Sequence, residues 1–238
     1  MSIRKNQTQA SLQQKYRWPR RRFIRSVLKT GIDVLGSVLT RWEVKGLENL
    51  PTEGPLLIVG NHFHFLDTVA PIYSTPWPLE FIGDLVMPNA PRLTRLFPNA
   101  WQTLKIKQGS PNLEALRASE SILAQKGVLV IYPEGHVHPG PLKPALPGAA
   151  YMALRTGAPI IAMGTVSDNH WKLVKTITEK KRRLRVCTQI GEVFGPIMTD
   201  SPERPTREEI KAAGQLIMTK IAALLPKDYR GEFDPEIA

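Results

Sequence analysis

Hydrophobic residues along most of the chain form short continuous runs, and these runs are separated by stretches with helical periodicity. Continuous apolar runs are typical of strands that are covered on both faces. The predicted strands are Leu56–Val59, Leu79–Ile82, Thr103–Ile106, Val128–Tyr132, Pro159–Met163 and Leu184–Ile190. The last one alternates apolar and polar residues, which predicts a strand at the sheet edge. Strands alternating with helices predict an α/β domain with a mostly parallel or mixed central sheet flanked by helices.

Capping signals predict three helices within this domain. Asn112 can cap a helix that runs to about Lys126. A second helix is predicted over Ala149–Arg155. The third begins at the capping box Thr206–Glu209, in which Thr and Glu stand three positions apart, and continues through Leu225.

The first 43 residues differ from the rest of the chain. From Phe23 to Trp42 apolar residues recur at helical spacing, which predicts an amphipathic helix. Its apolar face holds Phe23, Ile24, Val27, Leu28, Ile32, Leu35, Val38, Leu39 and Trp42, and its polar face holds Arg25, Lys29, Asp33 and Ser37. We therefore predict an N-terminal arm over residues 1–43 and the α/β domain over residues 44–238.

Positive charge is concentrated in the same arm. The 238-residue chain has 32 Lys and Arg, 21 Asp and Glu, and a formal net charge of +11. Nine basic and no acidic residues lie in the first 30 positions, which leaves 23 basic against 21 acidic residues in the remainder. The domain is nearly neutral and carries no nucleic-acid-binding motif, so we expect no nucleic-acid partner. The single cysteine, Cys187, excludes an intrachain disulfide and favours a reducing, intracellular setting.

The arm also has the features of a membrane-surface segment. The basic cluster Tyr16–Arg22 contains two aromatic residues and directly precedes the predicted helix. Lys and Arg near anionic headgroups contribute about 1 kcal/mol each. No apolar run approaches the roughly 18 residues that span a bilayer. We predict a peripheral or monotopic protein whose arm binds the anionic cytoplasmic face of a membrane; the alternative is an amphipathic helix packed on its own domain, with a solvated basic tail.

Ionisable residues directly follow two of the predicted strands. The segment Leu56–Asp67 reads Leu-Leu-Ile-Val-Gly-Asn-His-Phe-His-Phe-Leu-Asp, and Val128–His138 reads Val-Leu-Val-Ile-Tyr-Pro-Glu-Gly-His-Val-His. The carboxyl ends of strands in an α/β sheet open into the crevice where ligands bind. Both segments are therefore expected to deliver side chains to one cleft.

His62 and Asp67 are the candidate acid–base pair. Residues five apart on one helix point about 140° away from each other, so the two can pair only if His62 lies in the turn before the helix that holds Asp67. A carboxylate on one imidazole nitrogen fixes the tautomer and stabilises the cation, while the other nitrogen accepts a hydroxyl proton. Such general-base catalysis contributes about 10²–10⁴-fold.

The two motifs together resemble those of a known enzyme family. Asn-His-x-x-x-x-Asp after an apolar strand, with an aromatic-Pro-Glu-Gly about seventy residues later, resembles the glycerophospholipid acyltransferase superfamily and, within it, the lysophosphatidic acid acyltransferases. Gly46–Pro51, Ile106–Gly109 and Gly157–Ile161 extend the likeness over about Val44–Ile161. The resemblance implies a glycerol-3-phosphate acyltransferase-like α/β fold.

The same resemblance implies an activity and residue roles. It implies an O-acyltransferase of phospholipid biosynthesis that needs no cofactor and moves a fatty acyl group from an acyl-CoA or acyl carrier protein thioester. The acceptor would be the hydroxyl of a lysophospholipid, foremost 1-acyl-glycerol-3-phosphate. By position, His62 is the general base, Asp67 orients it, and Glu134 and Gly135 hold the acceptor near His62.

The grip on the acceptor's phosphate departs from the family pattern. After Pro-Glu-Gly the family usually has Thr-Arg-Ser, whereas here stand His136, Val137 and His138. The remaining candidates for a phosphate contact are Lys105, Lys107, Lys143 and His136. Lys keeps the charge of Arg without its planar bidentate fork. An acceptor that lacks the usual phosphate, such as a neutral lysophospholipid or a glycolipid, is therefore the alternative substrate.

Two other kinds of protein are rival hypotheses. The pairs His62/His64 and His136/His138 follow neighbouring strands and offer four nitrogens to a zinc ion. Asp67 and Glu134 have roles without a metal, however, so we predict no metal site. The altered third motif is also compatible with a non-catalytic lipid-binding protein of the same fold. The intact His62, Asp67, Glu134 and Gly135 favour the enzyme.

Overall fold

The computed structural model describes residues 14–83, 97–105, 113–167 and 183–234. The helices of these ranges are α1 (Arg22–Leu39), α2 (Phe65–Ser74), α3 (Phe97–Trp101), α4 (Leu113–Ala124), α5 (Pro147–Thr156) and α6 (Arg207–Ala222). The strands are β1 (Thr40–Lys45), β2 (Leu56–Gly60), β3 (Leu79–Gly83), β4 (Leu104–Lys105), β5 (Val128–Ile131), β6 (Ile160–Ser167) and β7 (Leu184–Phe194). Single turns of 3₁₀ helix lie at Leu47–Asn49, Lys227–Tyr229 and Gly231–Phe233.

The strands form one mixed sheet in the order β1-β7-β6-β2-β5-β3-β4. Neighbouring strands run parallel except for the antiparallel pair β6 and β7. The central strands β2 and β5 are fully buried, as their continuous apolar sequences predict. The structure confirms the predicted fold class, an α/β domain with a mixed sheet between helices.

Alternate residues of the central strands feed two separate cores. Leu57 and Val59 of β2 pack with α4, α5 and α6 on one face of the sheet. Leu56 and Ile58 point to the other face, where they pack with Ile72 of α2 and with residues of α1 and α3. This three-layer arrangement buries both faces of β2 and leaves its carboxyl end as the place where polar residues emerge.

The first strand was not predicted from the sequence. The last strand was predicted in the right part of the sequence, but its predicted place at the edge of the sheet is wrong. Thr40–Lys45 forms β1 and pairs in parallel with β7, so that Trp42 lies in a strand and α1 ends at Leu39. The boundary predicted after residue 43 thus falls inside β1. Because β1 covers its outer side, β7 is an interior strand and not the predicted edge.

Helix α1 has its apolar side turned outward. Its exposed large apolar residues are Phe23, Ile24, Val27, Val34, Leu35 and Val38, with exposed fractions from 39% to 80%. Successive residues of an α-helix are 100° apart, so these six positions occupy one continuous arc of about 120°. Only the flank of the apolar face, at Leu28 and Ile32, packs against the core. No helix in the described part of the chain is long and apolar enough to cross a membrane.

Two residues of the predicted polar face of α1, Arg25 and Lys29, are turned toward the domain. Arg25, which the sequence places on the polar face of the helix, is 2% exposed. Its guanidinium donates to Glu80 of β3 and to the carbonyl oxygens of Leu79 and Trp101. Arg20 donates to the same Glu80 carboxylate. Arg25 therefore lies on the domain side of α1, where the buried carboxylate of a distant strand needs a partner.

Candidate active site

The segments that follow β2 and β5 meet at one edge of the sheet. The two strands are parallel neighbours, with Val59 opposite Ile131, so their carboxyl ends lie side by side. Asn61 fixes the exit of β2, because its side-chain amide donates to the carbonyl of Thr165 at 2.9 Å and accepts from the Thr165 N–H at 2.8 Å. These two hydrogen bonds to β6 direct residues 62–64 away from the sheet and into the turn that precedes α2.

Asp67 organises that turn from the first turn of α2. One carboxylate oxygen accepts from the backbone N–H of His64, the N-cap residue, at 2.9 Å and from the N–H of Phe63 at 2.5 Å. These are N–H groups that a helix start leaves without an intrahelical acceptor. The other oxygen lies 3.1 Å from Nδ1 of His64. Asp67 is buried, and it fixes the backbone of Phe63 and His64 in the turn before α2.

The hydrogen bond expected between Asp67 and His62 is not formed in this structure. Within the described residues, Nδ1 of His62 is buried and has no hydrogen-bond partner. Oδ1 of Asp67 is likewise buried and without an aligned hydrogen bond. The imidazole within ion-pair distance of Asp67 is that of His64, whose Nε2 also lies 3.4 Å from the Ser167 hydroxyl.

Tyr132 connects the His62 ring with Asp67. The two rings are stacked, with centroids 4.3 Å apart and planes inclined by 17°. The Tyr132 hydroxyl donates to the backbone carbonyl of Asp67 at 2.8 Å. The aromatic residue of the second motif therefore limits the His62 ring on one side and is itself fixed to the first turn of α2.

Glu134 grips the backbone of His62 from the second segment. Its side chain is fully buried, and Oε1 accepts from the His62 N–H at 2.8 Å. Oε2 accepts from the Lys143 N–H at 3.1 Å and contacts Nε2 of His138. Gly135 follows with φ +76° and donates its N–H to the Tyr132 carbonyl at 3.0 Å, which closes a turn that favours glycine. Glu134 and Gly135 thus shape the site through the main chain.

Burial determines the protonation of the site. Burial, with a smaller contribution from the charges of His138 and His136, lowers the pKa of His62 to about 3. His62 is therefore a neutral imidazole at physiological pH. Burial raises the pKa of Asp67 well above its ordinary value, and the bonds from the His64 and Phe63 N–H groups oppose that rise.

The predicted phosphate-binding residues lie in different parts of the structure. His136 and Lys143 are exposed on the loop beside Glu134. Lys105 ends β4, where its main chain pairs with Gly83. Lys107 lies outside the described residues. His136 and His138 have ring centroids 5.6 Å apart, so the two candidate imidazoles of the second segment are neighbours.

A groove with two arginines lies at the same edge of the sheet and was not predicted. Arg41 of β1 and Arg185 of β7 are register partners and line a groove of about 660 Å³. Ser167, whose hydroxyl faces His64, and Tyr229, which stacks on Phe63, line it as well. The sequence signal was present in the alternation of β1, but that strand was assigned to a helix.

The four histidines of the two motifs face different partners. His64 lies against Asp67, and His138 lies against Glu134. Among the described residues, no group of three or more His, Cys, Asp and Glu side chains is arranged to hold a metal ion.

Comparison with known proteins identifies the class to which this site belongs. The sequence model of the Acyltransferase family matches residues 41–166, which is more than half of the chain and includes both motifs. The chain therefore belongs to the Acyltransferase family, and the protein is an acyltransferase, as the motifs predict.

A solved structure shares the fold. The crystal structure of the 1-acyl-sn-glycerophosphate (LPA) acyltransferase PlsC from Thermotoga maritima is similar to this chain with a TM-score of 0.57 and 18% sequence identity. The similarity covers 90% of this chain and 87% of that one. No curated protein sequence matches the chain.

Proposed function

We propose that the protein moves a fatty acyl group from a thioester donor, acyl-CoA or acyl carrier protein, to the free hydroxyl of a lysophospholipid, foremost 1-acyl-glycerol-3-phosphate. The observation that carries this proposal is the neutral, half-buried His62 at the sheet edge, whose N–H donates to the buried Glu134 and whose neighbour Phe63 donates to the buried Asp67. The family match and the fold shared with an LPA acyltransferase support the substrate class.

The proposed chemistry is direct transfer. A nitrogen of His62 takes the proton of the acceptor hydroxyl while the hydroxyl oxygen attacks the thioester carbonyl. A C–O bond forms and the C–S bond breaks. The proton that His62 accepted passes to the leaving thiolate, which departs as a thiol. A histidine that is uncharged before the reaction can take this proton, and a nearby carboxylate stabilises the cation that forms.

Asp67 is proposed to supply that carboxylate. Nδ1 of His62 and Oδ1 of Asp67 are both buried and both lack aligned hydrogen bonds within the described residues. Catalytic hydrogen bonds are often long or misaligned before substrate binds and tighten in the complex. A side-chain rotation that pairs these two atoms would satisfy both of them.

The test of the base is His62→Ala assayed with a radiolabelled acyl thioester and lysophosphatidic acid. We expect kcat to fall by about 10²–10⁴-fold, the contribution of general-base catalysis. The matched control is Lys211→Ala, an exposed change on α6, which is expected to retain full activity. Transfer by His62→Ala at the wild-type rate would overturn the proposed mechanism.

The acceptor's phosphate is proposed to meet positive charge at the site edge. His136 and Lys143 lie on the loop beside Glu134, and Arg41 and Arg185 line the neighbouring groove. Guanidinium groups bind phosphate in a bidentate manner. Arg41 and Arg185 are thus proposed to replace the arginine missing from the third motif.

An acceptor panel tests this part of the proposal. Lysophosphatidic acid, glycerol 3-phosphate and neutral lysolipids are compared with both donor types. We expect the phosphorylated lysolipid to be preferred, and Arg41→Gln with Arg185→Gln to raise its KM without raising that of a neutral lysolipid. Preference for the neutral acceptor would instead favour the alternative substrate class.

Membrane binding is proposed to use the outward side of α1. A helix on a globular protein normally buries its apolar face, whereas α1 exposes an apolar arc and turns Arg25 inward. Exposed apolar patches of this kind mark interaction sites, and the exposed Arg21, Arg22 and Arg41 flank this one with positive charge. These features support a peripheral attachment to an anionic cytoplasmic membrane surface.

Vesicle sedimentation tests the attachment. Val34→Asp with Val38→Asp places two charges on the apolar arc, and we expect binding to vesicles of phosphatidylglycerol and phosphatidylcholine to weaken at least tenfold. The matched control is Ser26→Asp with Thr30→Asp, which adds the same charge to the exposed polar side of the same helix. Equal binding by both double variants would exclude α1 as the contact.

A further inference from the structure

We propose that His138 is a positioning residue for the acyl transfer: it donates to the Glu134 carboxylate and, through it, holds the backbone of His62 in place. The inference rests on the proposed role of His62. Neither the family match nor the similar structure assigns a role to this side chain.

The first observation is that the loop after β5 binds both polar groups of the His62 backbone. Glu134 accepts from the His62 N–H at 2.8 Å, and the His138 N–H donates to the His62 carbonyl at 3.0 Å. His62 follows the end of a strand and precedes a helix, so neither element supplies these bonds. The position of the base therefore depends on residues 134–138.

The second observation concerns what holds Glu134. Its carboxylate is fully buried, and the groups that contact its Oε2 are the Lys143 N–H and Nε2 of His138. The His138 side chain is 5% exposed. A buried carboxylate without a charged or hydrogen-bonding partner is unfavourable, so removing the His138 ring would release Glu134 from its position or draw water to it.

The third observation fixes the direction of the bond. Nδ1 of His138 lies 2.9 Å from the carbonyl oxygen of Pro139, which can only accept, so Nδ1 carries a hydrogen. The two oxygens of Glu134 each accept from a backbone N–H, which favours the ionised carboxylate. Nε2 of His138 must then donate as well. The proposed contact is therefore an ion pair in which both ring nitrogens of His138 donate, Nε2 to Glu134 and Nδ1 to Pro139.

The charge of His138 has a second effect on the base. It is one of the causes that lower the pKa of His62, after burial. The same ring thus positions His62 through Glu134 and, after burial, adds to the lowering of the His62 pKa. A serine, which the resemblance places at this position in the family, cannot supply that charge.

The test compares His138→Ala with His138→Gln. The glutamine side chain can donate to Glu134, whereas alanine cannot. For His138→Ala we expect kcat to fall about 10–100-fold while KM for donor and acceptor stays within about twofold, because a misplaced base affects the reaction step. We expect His138→Gln to regain at least half of that loss on a logarithmic scale. Wild-type kcat in His138→Ala, or equal loss in both variants, would overturn the inference.

Two further measurements separate positioning from loss of stability. Arg155→Ala breaks an ion pair with Glu120 between α4 and α5, and we expect it to destabilise the fold with unchanged kcat. Long-range ¹H–¹⁵N spectra of the wild-type protein at neutral pH are expected to show both ring nitrogens of His138 protonated. An unprotonated Nε2 would overturn the inference even in an active enzyme, whereas absence of acyl transfer by the wild-type protein would refute the proposed function and leave the spectrum as a separate test of the contact.

Discussion

Two buried carboxylates, Asp67 and Glu134, act on the same turn in different ways. Asp67 accepts from Phe63 and His64, which are its neighbours in sequence, and so caps the helix it belongs to. Glu134 accepts from His62 across 72 positions of sequence and joins two strand ends. The first carboxylate has one oxygen that lies near the His64 ring without an aligned hydrogen bond, whereas both oxygens of the second are bound by donors. The difference predicts that one acts in catalysis and the other mainly in architecture.

Asp67→Asn is expected to have the largest effect on activity. The asparagine oxygen can still accept from the Phe63 and His64 N–H groups, so the turn is expected to survive. The negative charge that stabilises a protonated His62 is lost, and we expect kcat to fall about 10²–10³-fold while the free energy of unfolding changes by less than about 1 kcal/mol. Steady-state kinetics and urea unfolding check the two parts. A large loss of stability with little loss of kcat would show that Asp67 is only a cap.

Glu134→Gln is expected to show the opposite balance. Its amide can accept from His62 but then places an NH₂ group against two donors, the Lys143 N–H and the His138 ring. We expect the free energy of unfolding to fall by about 2–4 kcal/mol, because a buried charged network loses a partner, and kcat to fall about 10–100-fold. Urea unfolding of this variant beside Asp67→Asn makes the comparison direct. An Asp67→Asn protein that is the less stable of the two would reverse the assignment.

The pH dependence of kcat/KM separates the titration of Asp67 from that of His62. Burial puts the pKa of His62 at about 3 and raises that of Asp67 above its ordinary value. Activity requires ionised Asp67, so it is expected to fall as the pH drops through the Asp67 pKa, above pH 3.8. In Asp67→Asn that acid limb should vanish, and the low residual rate should stay level to about pH 4. A limb near pH 6.5 in this variant would show that His62 titrates at its ordinary value.

Tyr132→Phe is expected to have the smallest effect. The ring that stacks on His62 remains, and only the 2.8 Å bond to the Asp67 carbonyl is lost. We expect a decrease of about 0.5–1.5 kcal/mol in the free energy of unfolding and a change in kcat of a few-fold. Thermal unfolding and kinetics check both values. A loss as large as that of Asp67→Asn would mean that the hydroxyl itself takes part in the reaction.

The sequence predicted the local parts of the fold better than the distant ones. The buried runs of β2, β3 and β5 and the capping box of α6 were found because neighbours in sequence determine them. Strand β1 was missed because Trp42 continues the helical spacing of α1 by three positions beyond Leu39. Without β1, the position of β7 as an interior strand could not be predicted either.

The site divides in the same way. The sequence predicted that His62 and Asp67 follow a buried strand at a spacing that suits a site, because a strand, a turn and a helix start follow one another there. That Glu134 and His138 bind the His62 backbone depends on how two loops about 70 residues apart pack together. Histidine two positions from histidine suggested a shared metal, whereas each second histidine lies against a carboxylate.

The inward Arg25 of α1 governs how the membrane question can be approached. Glu80, on an interior-facing position of β3, is 0% exposed and shares its carboxylate between Arg20 and Arg25. Cutting away the N-terminal segment would remove both counter-charges and leave an ionised group sealed in the sheet. A truncated protein would then fail for reasons of folding, and its loss of vesicle binding would say nothing about lipid. Membrane binding by this chain must therefore be tested with substitutions of individual outward-facing side chains of α1.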